Sequence, residues 1–151
     1  MPMPVIQPSL KGRALRLLSG REHSRQELER KLEKFEEEPG TLASALNELQ
    51  AKGFINEQRV IESVLHRRAA KLGATRIRHE LQGKGLDPQA IAKALVYLQT
   101  SEHERALAIW YKKFGVPPVN AMEAARQMRF LASRGFGADV IRQVVKAPAS
   151  T

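Results

Sequence analysis

The sequence predicts an all-α fold, with three tandem three-helix repeats of helix-turn-helix character forming an elongated, curved array. Three observations predict it. Across the 151 residues, Ala, Leu, Arg, Lys, Gln and Glu are abundant while aromatics make up only 5%, a bias that favours helix over strand. Apolar residues recur at helical spacing nearly everywhere between the two ends. One phrase is also written three times: LQAKGFINEQRVIESVL over 49–65, LQGKGLDPQAIAKAL over 81–95 and LASRGFGADVIRQVV over 131–145. Each copy runs Leu, two variable residues, Lys or Arg, Gly, a hydrophobic residue, a short polar stretch and a second apolar segment. Helical groups of about 45 residues are too small to be stable alone and complete one another's cores when stacked.

The expected order is a loose tail over 1–9, repeats over 10–55, 56–99 and 100–147, and a tail over 148–151. A first helix carries Leu10, Ala14, Leu17 and Leu18 inward. Ser24 and Glu27 form a capping box ahead of a stripe of Leu28, Leu32 and Phe35. The acidic run Glu36 to Glu38 and Pro39-Gly40 end that helix, and Thr41 opens a third with Leu42, Ala45, Leu46 and Leu49 inward.

Gly53, Gly85 and Gly135 explain the repeated phrase. A helix commonly stops with a residue in the left-handed conformation, which glycine adopts without steric cost, and the hydrophobic residue after it packs back on the last turn. Asp87 then caps a helix whose first turn holds Pro88, and Asn56 does the same after the first stop. A fourth helix runs from about Asn56 to Leu72, with Val60, Ile61, Val64, Leu65 and Leu72 inward. The fifth spans Ala74 to Lys84 on Ile77 and Leu81, and the sixth, from Asp87, buries Ile91, Ala94, Leu95 and Leu98. The seventh spans Ser101 to Phe114 with Leu107, Trp110 and Phe114 on one face, and Gly115-Val116-Pro117-Pro118 breaks it. An eighth, Asn120 to Arg134, aligns Ala121, Ala124, Met128 and Leu131; a ninth, Gly137 to Lys146, presents Val140, Ile141, Val144 and Val145.

Composition narrows the function classes. The chain has no cysteine, which removes disulfides, thiolate metal sites and a Cys nucleophile and agrees with a reducing compartment. No apolar run approaches the roughly 20 residues of a membrane span, and MPMPVIQPSL lacks the form of a signal peptide, so the expected location is the cytoplasm. Four scattered histidines show no metal-ligand spacing, the glycines form no phosphate loop, and no nucleophile elbow is visible. The expectation is a protein without a catalytic site, metal or cofactor.

Charge points to a partner. With 25 Lys and Arg against 16 Asp and Glu, the formal net charge is +9, which suits a polyanion. From Arg59 to Lys84 seven cations face two acids, and the third repeat adds Lys112, Lys113, Arg126, Arg129 and Arg134. The helices after the glycines open with Asn56-Glu57, Asp87-Pro88 and Gly137-Ala138-Asp139, whose carboxylates stabilise a helix start but repel phosphates. Those helices therefore read as packing elements, not base readers. Trp110 shares a face with Leu107 and Phe114 and reads as core, not as a stacking platform.

Taken together, ALRLLSGREHSRQELERKL over 14–32, GFINEQRV over 53–60, ATRIRHELQGKGL over 74–86 and AARQMRFLASRGFGADVIRQVV over 124–145 resemble the RecX family. Family members often carry two acids after the first glycine and a Phe-Ala pair a little later, where this chain has Asn56-Glu57 and Val60-Ile61. The resemblance implies a monomeric regulator that lies along the RecA filament on single-stranded DNA and inhibits ATP hydrolysis, strand exchange and co-protease activity. Homologous recombination and the SOS response would be modulated in consequence. The candidate contacts, chosen for clustering on non-core faces, are Arg67, Lys71, Arg76, Lys84, Lys112, Lys113, Arg126 and Arg129. A general helical DNA-binding protein acting without RecA stays open as the alternative, as does the choice between coating the filament groove and capping its end.

Overall fold

The structure is a computed structural model that describes residues 6–146. Among these, nine α-helices and one 3₁₀ turn account for the regular structure, with no strand: α1 Leu10–Gly20, α2 Arg25–Leu32, α3 Thr41–Ala51, α4 Glu57–Arg68, α5 Ala74–Gly83, α6 Pro88–Gln99, α7 Glu102–Lys113, α8 Ala121–Ser133 and α9 Ala138–Val144. The all-helical expectation holds. The expected tails lie outside the described residues except for residues 6–9, where Ser9 caps α1 by accepting from the Gly12 N–H at 3.0 Å.

The chain divides into two compact units, the first ending at Val60 and the second beginning at Ile61. In the first, α1, α2 and α3 pack on one another around Ala14, Leu28, Leu32, Leu42, Leu46, Leu49 and Ile55, all buried. Truncating one fully buried Leu there, such as Leu46, costs about 2–5 kcal/mol by loss of transfer energy and creation of a cavity. The Ser24 capping box forms, Ser24 Oγ accepting from the Glu27 N–H at 3.1 Å and Glu27 Oε1 from the Ser24 N–H at 3.0 Å.

Phe35 departs from the expected inward stripe. After Leu32 the chain tightens into the 3₁₀ turn Glu33–Phe35, and three residues per turn instead of 3.6 swing Phe35 off the Leu28–Leu32 row. It is 37% exposed, with the Arg13 guanidinium stacked over its ring at 3.8 Å.

In the second unit α5 packs on α6, α6 on α7, and α7, α8 and α9 on one another. Ile77, Leu81, Leu86, Ile91, Leu95 and Leu98 are buried on the α5–α6 side. Ala106, Trp110, Leu131, Phe136, Ile141, Val144 and Val145 form the core of the α7–α9 group. Trp110 is core as expected, its indole N–H donating to Gln127 Oε1 at 2.8 Å while Gln127 Nε2 donates to the Val116 carbonyl at 3.1 Å. Gln127 occupies the buried position on α8, and Ala121, expected inward, sits in the first turn and is exposed.

The three glycine stops are all left-handed, with φ of 83° at Gly53, 71° at Gly85 and 90° at Gly135. At the first, the Phe54 N–H donates to the Leu49 carbonyl at 2.9 Å and the Gly53 N–H to Gln50 at 3.0 Å; Phe136 and Gly135 repeat the pattern on Leu131 and Ala132. Leu86 and Phe136 are buried directly after their glycines, but Phe54 is 47% exposed and Ile55 takes the buried place. The first copy holds one extra residue between its glycine and the cap Asn56, which shifts the inward position by one. Helix α4 also ends earlier than expected: after Arg68 the chain turns, with the Lys71 and Leu72 N–H groups both donating to the Arg68 carbonyl at 2.9 Å.

Candidate cationic binding groove

The turn after α4 is where the cations of the second and third repeats meet. The Arg105 guanidinium, entering from α7, donates through Nη1 to the carbonyls of Ala69 and Leu72, both at 2.7 Å. Its Nη2 donates to the Leu98 carbonyl at 3.2 Å and its Nε to Ser101 Oγ at 3.1 Å. Burial pushes this guanidinium below the ordinary arginine range, with the Glu102 carboxylate opposing the shift. An arginine fits here because its planar fork presents several donors at once.

From the other side the turn is held by the end of α8. The Gly73 N–H donates to the Arg134 carbonyl at 2.7 Å and the Thr75 N–H to the Gly135 carbonyl at 3.2 Å. These backbones approach so closely that a Cβ on Gly73 would lie 2.4 Å from the Gly135 oxygen, and one on Gly135 would lie 2.3 Å from Arg76 Cγ. Gly135 is thus required twice, as a left-handed helix stop and as a point of close backbone approach.

This clamp sets Lys71 beside α7 and α8. Ala70, Lys71, Ile109, Lys112, Lys113, Phe130 and Arg134 line a groove of about 420 Å³ with four cations and no acid. Ile109, Lys112 and Lys113 share one face of α7 by their spacing, and Phe130 and Arg134 are four apart on α8. Phe130 organises the charges: Lys113 Nζ lies 5.5 Å and Arg134 Cζ 4.9 Å from its ring centroid. Phe114 meets Phe130 edge-on at 5.4 Å and carries the Arg126 guanidinium 5.9 Å from its own centroid. Cations held over aromatic faces are ordered without being neutralised.

Of the eight expected contact residues, Lys71, Lys112 and Lys113 line the groove and Arg126 lies one turn before Phe130 on the same row of α8. Arg129 is exposed on the neighbouring row. The other three do not line it. Arg67 faces Glu80 at 3.8 Å, which also takes the Arg68 guanidinium at 3.1 Å. Arg76 donates to the Ser133 carbonyl at 2.6 Å, and Lys84 is the half-buried C-cap residue of α5. Arg134 was not among the eight, although the row Arg126–Phe130–Arg134 at intervals of four marks it.

Family models match nearly the whole described chain: the RecX first three-helix domain over residues 11–49, the second over 56–95 and the third over 100–145. The chain belongs to the RecX family. It is 52% identical over 140 residues to the regulatory protein RecX of Leptothrix cholodnii, covering 93% of this chain and 89% of that one. It is 43% identical over 145 residues to that of Herminiimonas arsenicoxydans, with 96% of each covered. The crystal structure of RecX from Lactobacillus salivarius has the same fold, with a TM-score of 0.74 at 21% identity over 91% of this chain and 92% of that one. As a RecX-family member the chain has a regulatory role. Among the described residues no helix is long and apolar enough to cross a membrane, and no group of three or more His, Asp or Glu is placed to hold a metal ion.

Proposed function

We propose that this RecX-family chain binds the RecA filament on single-stranded DNA and restrains ATP hydrolysis, strand exchange and co-protease activity by occupying space, with no chemistry of its own. The observation that carries the reading is the groove in which Lys71, Lys112, Lys113 and Arg134 converge without an acid. Four unneutralised cations over an aromatic floor suit phosphates or acidic protein surface and offer no base-specific readout. Arg126 and Arg129 extend the contact along α8, while Arg67 and Arg76, engaged by Glu80 and by the Ser133 carbonyl, serve the fold instead. The work of the protein is cytoplasmic, in step with the absence of cysteine.

A titration of labelled single-stranded DNA, bare and coated with RecA, tests the reading. Preferential binding to the coated strand is expected. Equal or tighter binding to the bare strand would favour a general DNA-binding protein that acts without RecA.

A further inference from the structure

The geometry points to a second binding site, in the first unit, for an acidic peptide segment that carries one bulky apolar side chain. A groove of about 680 Å³ runs between α1 and the end of α2, within the range of volumes that hold ligands. Its floor is apolar, made by Pro8, Leu17, Leu32 and Phe35. Its rim carries Arg13, Arg16, Arg30, Lys31 and Lys34, and no acid is among the lining residues. Glu36, the first residue of the acidic run that follows, is turned to the start of α3, accepting from the Leu42 N–H at 2.8 Å.

The two halves of this lining ask for different things from one occupant. The rim favours several negative charges, and the floor stays wet unless an apolar group covers it. Phosphodiester and sugar satisfy only the rim. A stacked base would need the face of Phe35, but the Arg13 guanidinium lies over that ring at 3.8 Å and the Lys34 ammonium stands 5.2 Å from its centroid. A peptide with Asp or Glu flanking a Phe or Leu satisfies both halves. The 3₁₀ turn that throws Phe35 outward builds the floor, so the departure from the expected core has a use. The inference stands apart from the reading of the Lys71 groove, since all its residues lie in the other unit.

The test is fluorescence anisotropy on the full chain with three labelled probes: a twelve-residue Asp/Glu peptide with a central Phe, the same peptide with Ser there, and an oligothymidylate of equal charge. The Phe peptide should bind with one-to-one stoichiometry and about tenfold or more tighter than the Ser peptide, as expected for one buried aromatic side chain. Arg16→Glu with Lys34→Glu should weaken it by at least about tenfold, and the equally charged Arg78→Glu with Lys93→Glu, both exposed and outside either groove, should leave it within about twofold. Circular dichroism checks that each variant keeps its helices. Equal binding of the Phe and Ser peptides would reduce the site to unspecific charge attraction and overturn the proposal. So would tighter binding of the oligothymidylate that is lost with Arg16→Glu and Lys34→Glu, which would make this a nucleic-acid site.

Discussion

The backbone N–H of Gly73 donates to the carbonyl of Arg134 at 2.7 Å, tying the turn after α4 to the end of α8 across 61 positions of sequence. Because Lys71 lies two residues before one partner and the Arg134 side chain belongs to the other, this bond sets two of the groove's four charges in place.

The first prediction concerns the glycines that permit this approach. Gly73→Ala and Gly135→Ala force a Cβ to within 2.4 Å of the Gly135 carbonyl oxygen and 2.6 Å of the Arg76 backbone nitrogen. Each should cost about 3 kcal/mol or more in urea unfolding. Gly53→Ala meets only the strain of its left-handed φ of 83°, with no atom within 4 Å, and should cost about 1 kcal/mol. Equal costs at all three would show that the close approach does not exist.

A second prediction isolates Arg105. Arg105→Met keeps the aliphatic stem but leaves the carbonyls of Ala69 and Leu72 without their donor, which should cost about 1–3 kcal/mol. Amide hydrogen exchange should quicken at Lys71 and Leu72, whose N–H groups close the turn on Arg68. Unchanged exchange there would remove Arg105 from the positioning of the groove.

His23 supplies a pH dependence. It is buried, with Nδ1–H donating to the Arg21 carbonyl at 3.0 Å and Nε2 accepting from the Lys31 ammonium at 3.1 Å. Burial lowers its pKa below the ordinary 6.5, and the charges of Arg21 and Lys31 add to this against the Arg21 carbonyl bond and Glu27. The unfolded chain therefore binds the proton more readily than the folded one. The stabilisation is complete above about pH 6.5 and is lost as the pH falls from there through the lowered folded value. Urea midpoints measured from pH 7.5 to 5 should decline in the parent protein, and His23→Gln should flatten that decline. A His23→Gln profile parallel to the parent's would refute the assignment.

Much of the fold was readable because helix periodicity and end signals agree along the chain. Ser24 with Glu27, Asp87 with Pro88, and the three glycines each act within a few residues, so local chemistry decides them. Where the outcome depends on a count of residues or on distant backbone, the sequence was silent. Phe54 and Ile55 exchange places through one inserted residue, and Phe35 leaves the core through a change of helix pitch. The groove was legible in part: Lys71, Lys112 and Lys113 were visible as exposed cations. Arg76 and Arg105 look no different in sequence, yet both spend their guanidinium on backbone carbonyls supplied by other helices. Charge clustering alone cannot separate a cation that meets a partner from one that holds the fold.

The most direct measurement is RecA-dependent ATP hydrolysis on single-stranded DNA, titrated with the parent protein and with Lys71→Glu, Lys112→Glu, Lys113→Glu combined. These side chains are exposed, so stability should change by no more than about 0.5 kcal/mol per site. If about four phosphates are neutralised in the groove, binding to bare strand should fall with salt along a log–log slope of magnitude ~2.8. The account predicts that the parent slows hydrolysis in proportion to its concentration and that the triple variant needs about tenfold more protein for the same effect. Inhibition by the folded variant at the parent's concentration, or none by the parent, would contradict it.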